Sequence, residues 1–163
     1  MTAPARILVA GIGNIFLGDD AFGVEVVRRL ASCALPAGVR VVDFGIRGMD
    51  LAYALLEDYS AVILVDAAPR GRPPGTLYEI EPEPPAEGRA AVEPHAVVPH
   101  QILGLVRAMG GTLPPLRLVG CEPGALLDGE PRMGLSPEVA GAIEPAVALV
   151  QDVIGRLLER SHA

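Results

Sequence analysis

A handful of side chains in this 163-residue chain combine reactive chemistry with positions that could put it to use. Asp19 and Asp20 close the run Gly11-Ile12-Gly13-Asn14-Ile15-Phe16-Leu17-Gly18, which itself follows the apolar stretch Ile7-Leu8-Val9-Ala10. Asp66 follows Val62-Ile63-Leu64-Val65, and a carboxylate at the mouth of so apolar a segment is costly to bury unless something compensates it. His95 stands in Glu93-Pro94-His95, and His100 comes directly after Pro99. Two carboxylates and an imidazole make an O,O,N donor set suited to a divalent transition metal, with positions left for water or a further ligand. Each of these residues also has a structural use: an Asp caps helices and closes loops, and a lone His is commonly a packed residue. Asp19 and Asp20, being adjacent, do not readily point the same way. One caps the helix opening near Ala21 while the other faces the site, and the residues leave the choice open.

The glycines before these acids suggest a phosphate cradle, but a dinucleotide fingerprint needs a third glycine where Phe16 stands. The bulky Phe16 argues against it, and an acidic loop suits a cation better than a phosphate. The chain has no Gly-x-Ser-x-Gly elbow, no His-Glu-x-x-His pair and no Cys-x-x-Cys pair, which disfavours serine hydrolase and zincin machinery. The hydroxyls of Thr2, Ser32, Ser60, Thr76 and Thr112 have no base near them in sequence.

A formal net charge of −7 repels nucleic acid and anionic lipid surfaces, so neither is expected as a partner. Cys33 and Cys121 are far apart and lack metal-type spacing, which fits a reducing compartment and a role as small core hydrophobes. No secretory signal pattern is visible in residues 1–6, and no apolar run approaches the roughly 18 residues of a membrane helix. A cytoplasmic monomer is expected.

Hydrophobic periods supply the frame for these residues. Residues 7–10, 39–44, 61–65 and 116–120 read as short strands, the first and third continuously apolar as in a central parallel strand covered on both faces. Residues 21–30 and 49–56 carry apolar positions at helical spacing. Residues 75–80 follow the turn Pro73-Pro74-Gly75 too soon for a crossover helix, which predicts an antiparallel edge strand. Residues 81–98 are rich in Pro, Glu and Ala without periodicity, Pro99 opens a helix through about residue 109, and Ser136-Pro137-Glu138 starts a closing helix with a break at Pro145. The prediction is a single α/β domain over residues 1–163: a three-layer sandwich with a mainly parallel five-stranded sheet, one antiparallel edge strand and helices on both faces. Sites in such sheets lie outside the carboxyl ends of the strands at a topological switch point. Asp20, Asp43 and Asp66 all fall at or beyond strand ends. His162 belongs to the tail.

Gly11-Ile12-Gly13-Asn14 with Asp19-Asp20, Asp43-Phe44-Gly45-Ile46-Arg47-Gly48-Met49, Val65-Asp66-Ala67 and Val119-Gly120-Cys121-Glu122-Pro123 together resemble the hydrogenase maturation endopeptidases, over residues 6–158. The resemblance implies an enzyme that trims the C-terminus of the large-subunit precursor of a nickel-iron hydrogenase. It implies a metal held at the sheet edge by Asp20, Asp66 and His95, with His100 as the reserve histidine and Asp19 left as the cap. The nickel would arrive already installed in the precursor rather than as a resident cofactor. Gly45 and Gly48 would let the substrate backbone approach closely, and Asp43 would orient it or cap a turn. Two other readings keep the same frame: a non-enzymatic metal- or nucleotide-binding module, and a metal-dependent peptidase of broader specificity.

Overall fold

The computed structural model describes residues 5–82, 97–124 and 131–161. Its sheet contains β1 (Ile7–Ile12), β2 (Val39–Gly45), β3 (Ala61–Ala67), β4 (Leu77–Ile80) and β5 (Leu116–Cys121), in the order β2-β1-β3-β5-β4. All neighbours are parallel except β4 and β5, the predicted antiparallel edge. The helices are α1 (Phe22–Leu30), α2 (Gly48–Leu55), α3 (Val97–Ala108), α4 (Pro137–Ala140) and α5 (Ile143–Ser161).

Alternation along the strands divides the core in two. Ile7, Val9, Ile63 and Val65 pack with Phe22, Val26, Val27, Val150 and Ile154 of α1 and α5. Leu8, Ala10, Val62 and Leu64 turn the other way, onto Leu51, Leu55, Leu103 and Val106 of α2 and α3. By the same alternation Asp66 belongs to the α2 and α3 face. The helix nearest the sheet is admitted by glycine: a Cβ on Gly23 would lie 2.0 Å from the Val65 carbonyl oxygen, and one on Gly11 would lie 2.4 Å from Val27. Close helix–strand packing is thus supplied by Gly23, seven residues beyond the Phe16 position where a dinucleotide fold would need it.

Several boundaries differ from expectation for identifiable reasons. β1 runs on to Ile12, because Gly11 pairs with both Asp43 and Val65 inside the sheet rather than opening a turn. α3 begins at Val97, two residues before Pro99. A proline in the first helical turn removes an N–H that has no intrahelical acceptor, so it need not be the first residue. The closing segment breaks at Gly141 and Ala142 rather than at Pro145, which sits in the first turn of α5, where the same tolerance applies. Ser136 flanks α4 as expected but makes no side-chain cap hydrogen bond. No helix among the described residues is long and apolar enough to cross a membrane.

Candidate functional site

The strand order places the site. From β1 the chain crosses over α1 to β2 on one side, whereas from β3 it proceeds towards β5 on the other. The crevice outside the carboxyl ends of β1 and β3 is therefore the switch point of the sheet. Asp66 is the penultimate residue of β3, and Asp20 follows β1 in the 3-10 turn Gly18–Ala21.

Local geometry brings Asp20 back to the sheet edge. Gly13 has φ +146°, and a Cβ there would lie 1.9 Å from the Asp20 carbonyl oxygen, so only glycine lets the returning chain pass. The Asn14 amide donates to Asp20 Oδ2 at 2.9 Å, and the Phe16 amide donates to Asn14 Oδ1 at 2.9 Å in an Asx turn. The glycine run is thus a positioning device for a carboxylate.

Asp66 is 8% exposed. Burial first, and then the neighbouring charge of Asp20, hold its carboxyl well above the usual carboxylate range, while the Ala67 amide offsets only part of this. Neither Asp20 nor Asp66 has an ion-pair partner among the described residues. The charge of Asp20 adds to the cost of ionising the buried Asp66, and a cation between them would reverse that cost.

Asp19, expected as a helix cap, does something else. The residue flanking α1 is Ala21, with no side-chain cap bond, and Asp19 is turned inward at 1% exposure. It accepts from the Gly124 amide at 2.8 Å, the Ser136 amide at 2.7 Å and the Ser136 hydroxyl at 2.8 Å. It ties the acidic loop to the end of β5 and to the start of α4, and it takes the hydroxyl that would have capped α4. Asp43 pairs with Arg28 at 3.5 Å, a structural use that keeps β2 and α1 together. Gly45 has φ +55° and ends β2 against Gly13, whose amide donates to its carbonyl. Gly48 faces Ile102 of α3.

Glu122 lies in Val119-Gly120-Cys121-Glu122-Pro123 at the end of β5, and its surroundings give it a structural role. Only 5% exposed, its Oε1 accepts from the Arg70 amide at 2.7 Å, the Arg72 amide at 3.0 Å and the Tyr78 hydroxyl at 2.6 Å. Burial pushes its carboxyl up, but the Tyr78 hydroxyl and the amides of the 70–72 loop outweigh burial and hold it below its ordinary value. Tyr78 in turn is pushed up to about 12 by burial and by Glu122. The signal that singled out Asp66, an acid directly after an apolar strand, was present at Glu122 too. Cys121 is buried and its thiol is pushed up to about 12, chiefly by burial, so it stays neutral; Cys33 packs against the core from a half-buried position.

Of the predicted donor set, Asp20 and Asp66 share the crevice, and His95 lies outside the described residues. His100 lies in the first turn of α3. Among the described residues no group of three or more His, Cys, Asp or Glu side chains could hold a metal.

Comparison with known proteins identifies the family. The family model for hydrogenase maturation protease matches residues 24–153. The hydrogenase expression/formation protein HupD of Rhodobacter capsulatus is 37% identical over 148 residues, covering 89% of this chain and 69% of the relative. The hydrogenase 2 maturation protease of Escherichia coli is 35% identical over 147 residues, covering 89% and 88%. Among solved structures, the hydrogenase maturating endopeptidase HybD from E. coli superposes with a TM-score of 0.78 at 35% identity, over 93% of each chain. Shared sequence and a shared sheet over nearly the whole length lead to one conclusion: this chain belongs to the hydrogenase maturation proteases.

Proposed function

We propose that the chain is the endopeptidase that removes a C-terminal peptide from the nickel-loaded large-subunit precursor of a nickel-iron hydrogenase, and that Asp20, Asp66 and His95 are its contacts to the metal. The observation that carries this reading is the pair formed at the switch point by a buried Asp66 and Asp20, which lack a basic partner among the described residues. A family of proteases needs a means of choosing one bond in one protein, and a metal already seated in the substrate provides it. A donor set of oxygen and imidazole without thiolate binds nickel modestly, leaving the ion with its substrate ligands and the product free to depart. In this reading the nickel is part of the substrate. The chain's acids would orient the precursor so that the bond beyond its metal ligands lies across the strand ends.

The proposed setting is the cytoplasm, with the chain acting as a monomer on a folded precursor. The test is incubation of the protein with nickel-loaded and nickel-free precursor, followed by mass measurement. Shortening of the loaded precursor alone supports the reading. Equal shortening of both would return the metal-dependent peptidase of broader specificity, and no shortening of either would return the non-enzymatic module.

A further inference from the structure

Six arginines among the described residues, Arg28, Arg29, Arg40, Arg47, Arg117 and Arg156, are paired with carboxylates. Arg70 and Arg72 are not, although the chain carries 20 acidic residues against 13 basic ones. Both are exposed, on the loop that joins Asp66 to β4. Together with Thr76, Leu77 and Tyr78 they line a cleft of about 340 Å³. The loop that carries them is fixed: the buried Glu122 carboxylate takes the amides of Arg70 and Arg72, Ala68 donates to the Cys121 carbonyl, and Gly75 donates to that of Glu122. Arg70 also lies over the Tyr78 ring, 6.0 Å from its centre. With Glu122 satisfied by these donors, the two guanidinium groups leave a local excess of positive charge.

The place of the cleft relates it to the acid pair. Asp66 is in register with Gly120, and Gly120 with Tyr78, so all three lie on one line across the sheet and share the α2 and α3 face. Two strand spacings, about 10 Å, separate Asp66 from Tyr78. An extended peptide covers that span in about three residues.

We propose that the Arg70–Arg72 cleft binds a carboxylate of the polypeptide being processed, an Asp or Glu side chain or the terminal carboxylate, lying about three residues or more from the acid pair. The inference rests on the proposed reading of Asp20 and Asp66 as the place where the peptide is cut. A guanidinium pair recognises a carboxylate by charge and by directed N–H donors, which lysine or a neutral side chain would not supply in the same geometry. Such a contact gives the enzyme a second point of reference on the peptide.

The test uses the full chain and a fluorescent synthetic peptide spanning the C-terminal extension of the organism's own nickel-iron hydrogenase large subunit. The peptide is made in native form, with its acidic side chains replaced by amides, and with an amidated C-terminus. Anisotropy should show the native peptide binding about tenfold more weakly to the R70Q/R72Q variant than to the wild type. One of the two neutralised peptides should lose the same factor on the wild type and nothing more on the variant, which identifies the source of the carboxylate. Thermal melting of R70Q/R72Q at the wild-type temperature separates lost recognition from lost folding, and R70K/R72K, which keeps the charge, should recover part of the affinity if the variant melts early. No binding of the native peptide to the wild type, equal binding by R70Q/R72Q, or the same loss on R70Q/R72Q for the native peptide and for each of the two neutralised peptides would overturn the proposal. The Asp66→Asn protein separates this from the parent reading: it should bind the native peptide normally while failing to process precursor. If it processes normally, the catalytic reading fails whatever the arginines do.

Discussion

Asp19 and Asp66 are both buried carboxylates at the same edge of the same sheet, and their surroundings are opposite. Asp19 receives three hydrogen bonds from Gly124 and Ser136, all at 2.7–2.8 Å, which replace the water a buried carboxyl has lost. Asp66 receives the Ala67 amide and faces the charge of Asp20, so burial and repulsion both drive its carboxyl upward. Satisfaction by donors marks a carboxylate used as architecture. A buried carboxylate left facing another acid marks one kept for something that arrives. Glu122 sides with Asp19, its charge spent on holding the loop that carries Arg70 and Arg72.

The largest expected effect separates the two kinds of acid. Asp66→Asn or Asp20→Asn should lower processing of the precursor by about a hundredfold or more, at or above the upper end of what losing a mere outer-shell partner of a metal ligand costs. Asp66→Asn should also melt at or above the wild-type temperature, because it removes a carboxyl whose ionisation is opposed by burial and by Asp20. Differential scanning fluorimetry beside the processing assay checks both halves. Asp19→Ala should do the reverse, costing about 3 kcal/mol of stability by stranding the buried donors of Gly124 and Ser136, measured by urea denaturation. Below its melting temperature this variant should still bind nickel-loaded precursor, only more weakly.

A smaller effect lies in the pH dependence, where the two acids carry opposite signs. The folded state holds the Asp66 proton more tightly than the unfolded chain, so stability falls as pH rises from the unfolded carboxylate range through the raised folded value. Glu122 is held low, so its contribution is present above the unfolded carboxylate value and is lost as pH falls through the depressed folded one. Urea midpoints across pH should show the first decline vanish in Asp66→Asn and the second loss vanish in Glu122→Gln. Smallest of all is the exposed Arg29–Glu144 pair: Glu144→Ala should change stability by less than about 1 kcal/mol, because solvent screens a bond between half-exposed groups.

The same comparison explains what could be read from sequence. The sheet was legible because continuous apolar runs such as Val62-Ile63-Leu64-Val65 admit few environments, and because the Pro73-Pro74-Gly75 turn leaves no room for a crossover. Asp20 and Asp66 were legible as acids at strand ends. Asp19 was misjudged because its donors, Gly124 and Ser136, are more than a hundred residues away, and long-range partners leave no local pattern. The early start of α3 and the break before Pro145 escaped for a related reason. Proline fixes only what cannot lie within a helix interior, and both prolines fall in first turns. Phe16 rightly counted against a phosphate cradle, but the close approach of backbone to backbone that Gly13, and Gly23 beyond the run, allow has no sequence pattern of its own.

The most direct test of this contrast is the mass of nickel-loaded precursor after incubation with the Asp66→Asn protein, at a temperature where its melting curve shows it folded. The account predicts full-length precursor in that sample and shortened precursor in the wild-type control. Shortened precursor from the folded Asp66→Asn protein, at the wild-type rate, would contradict it.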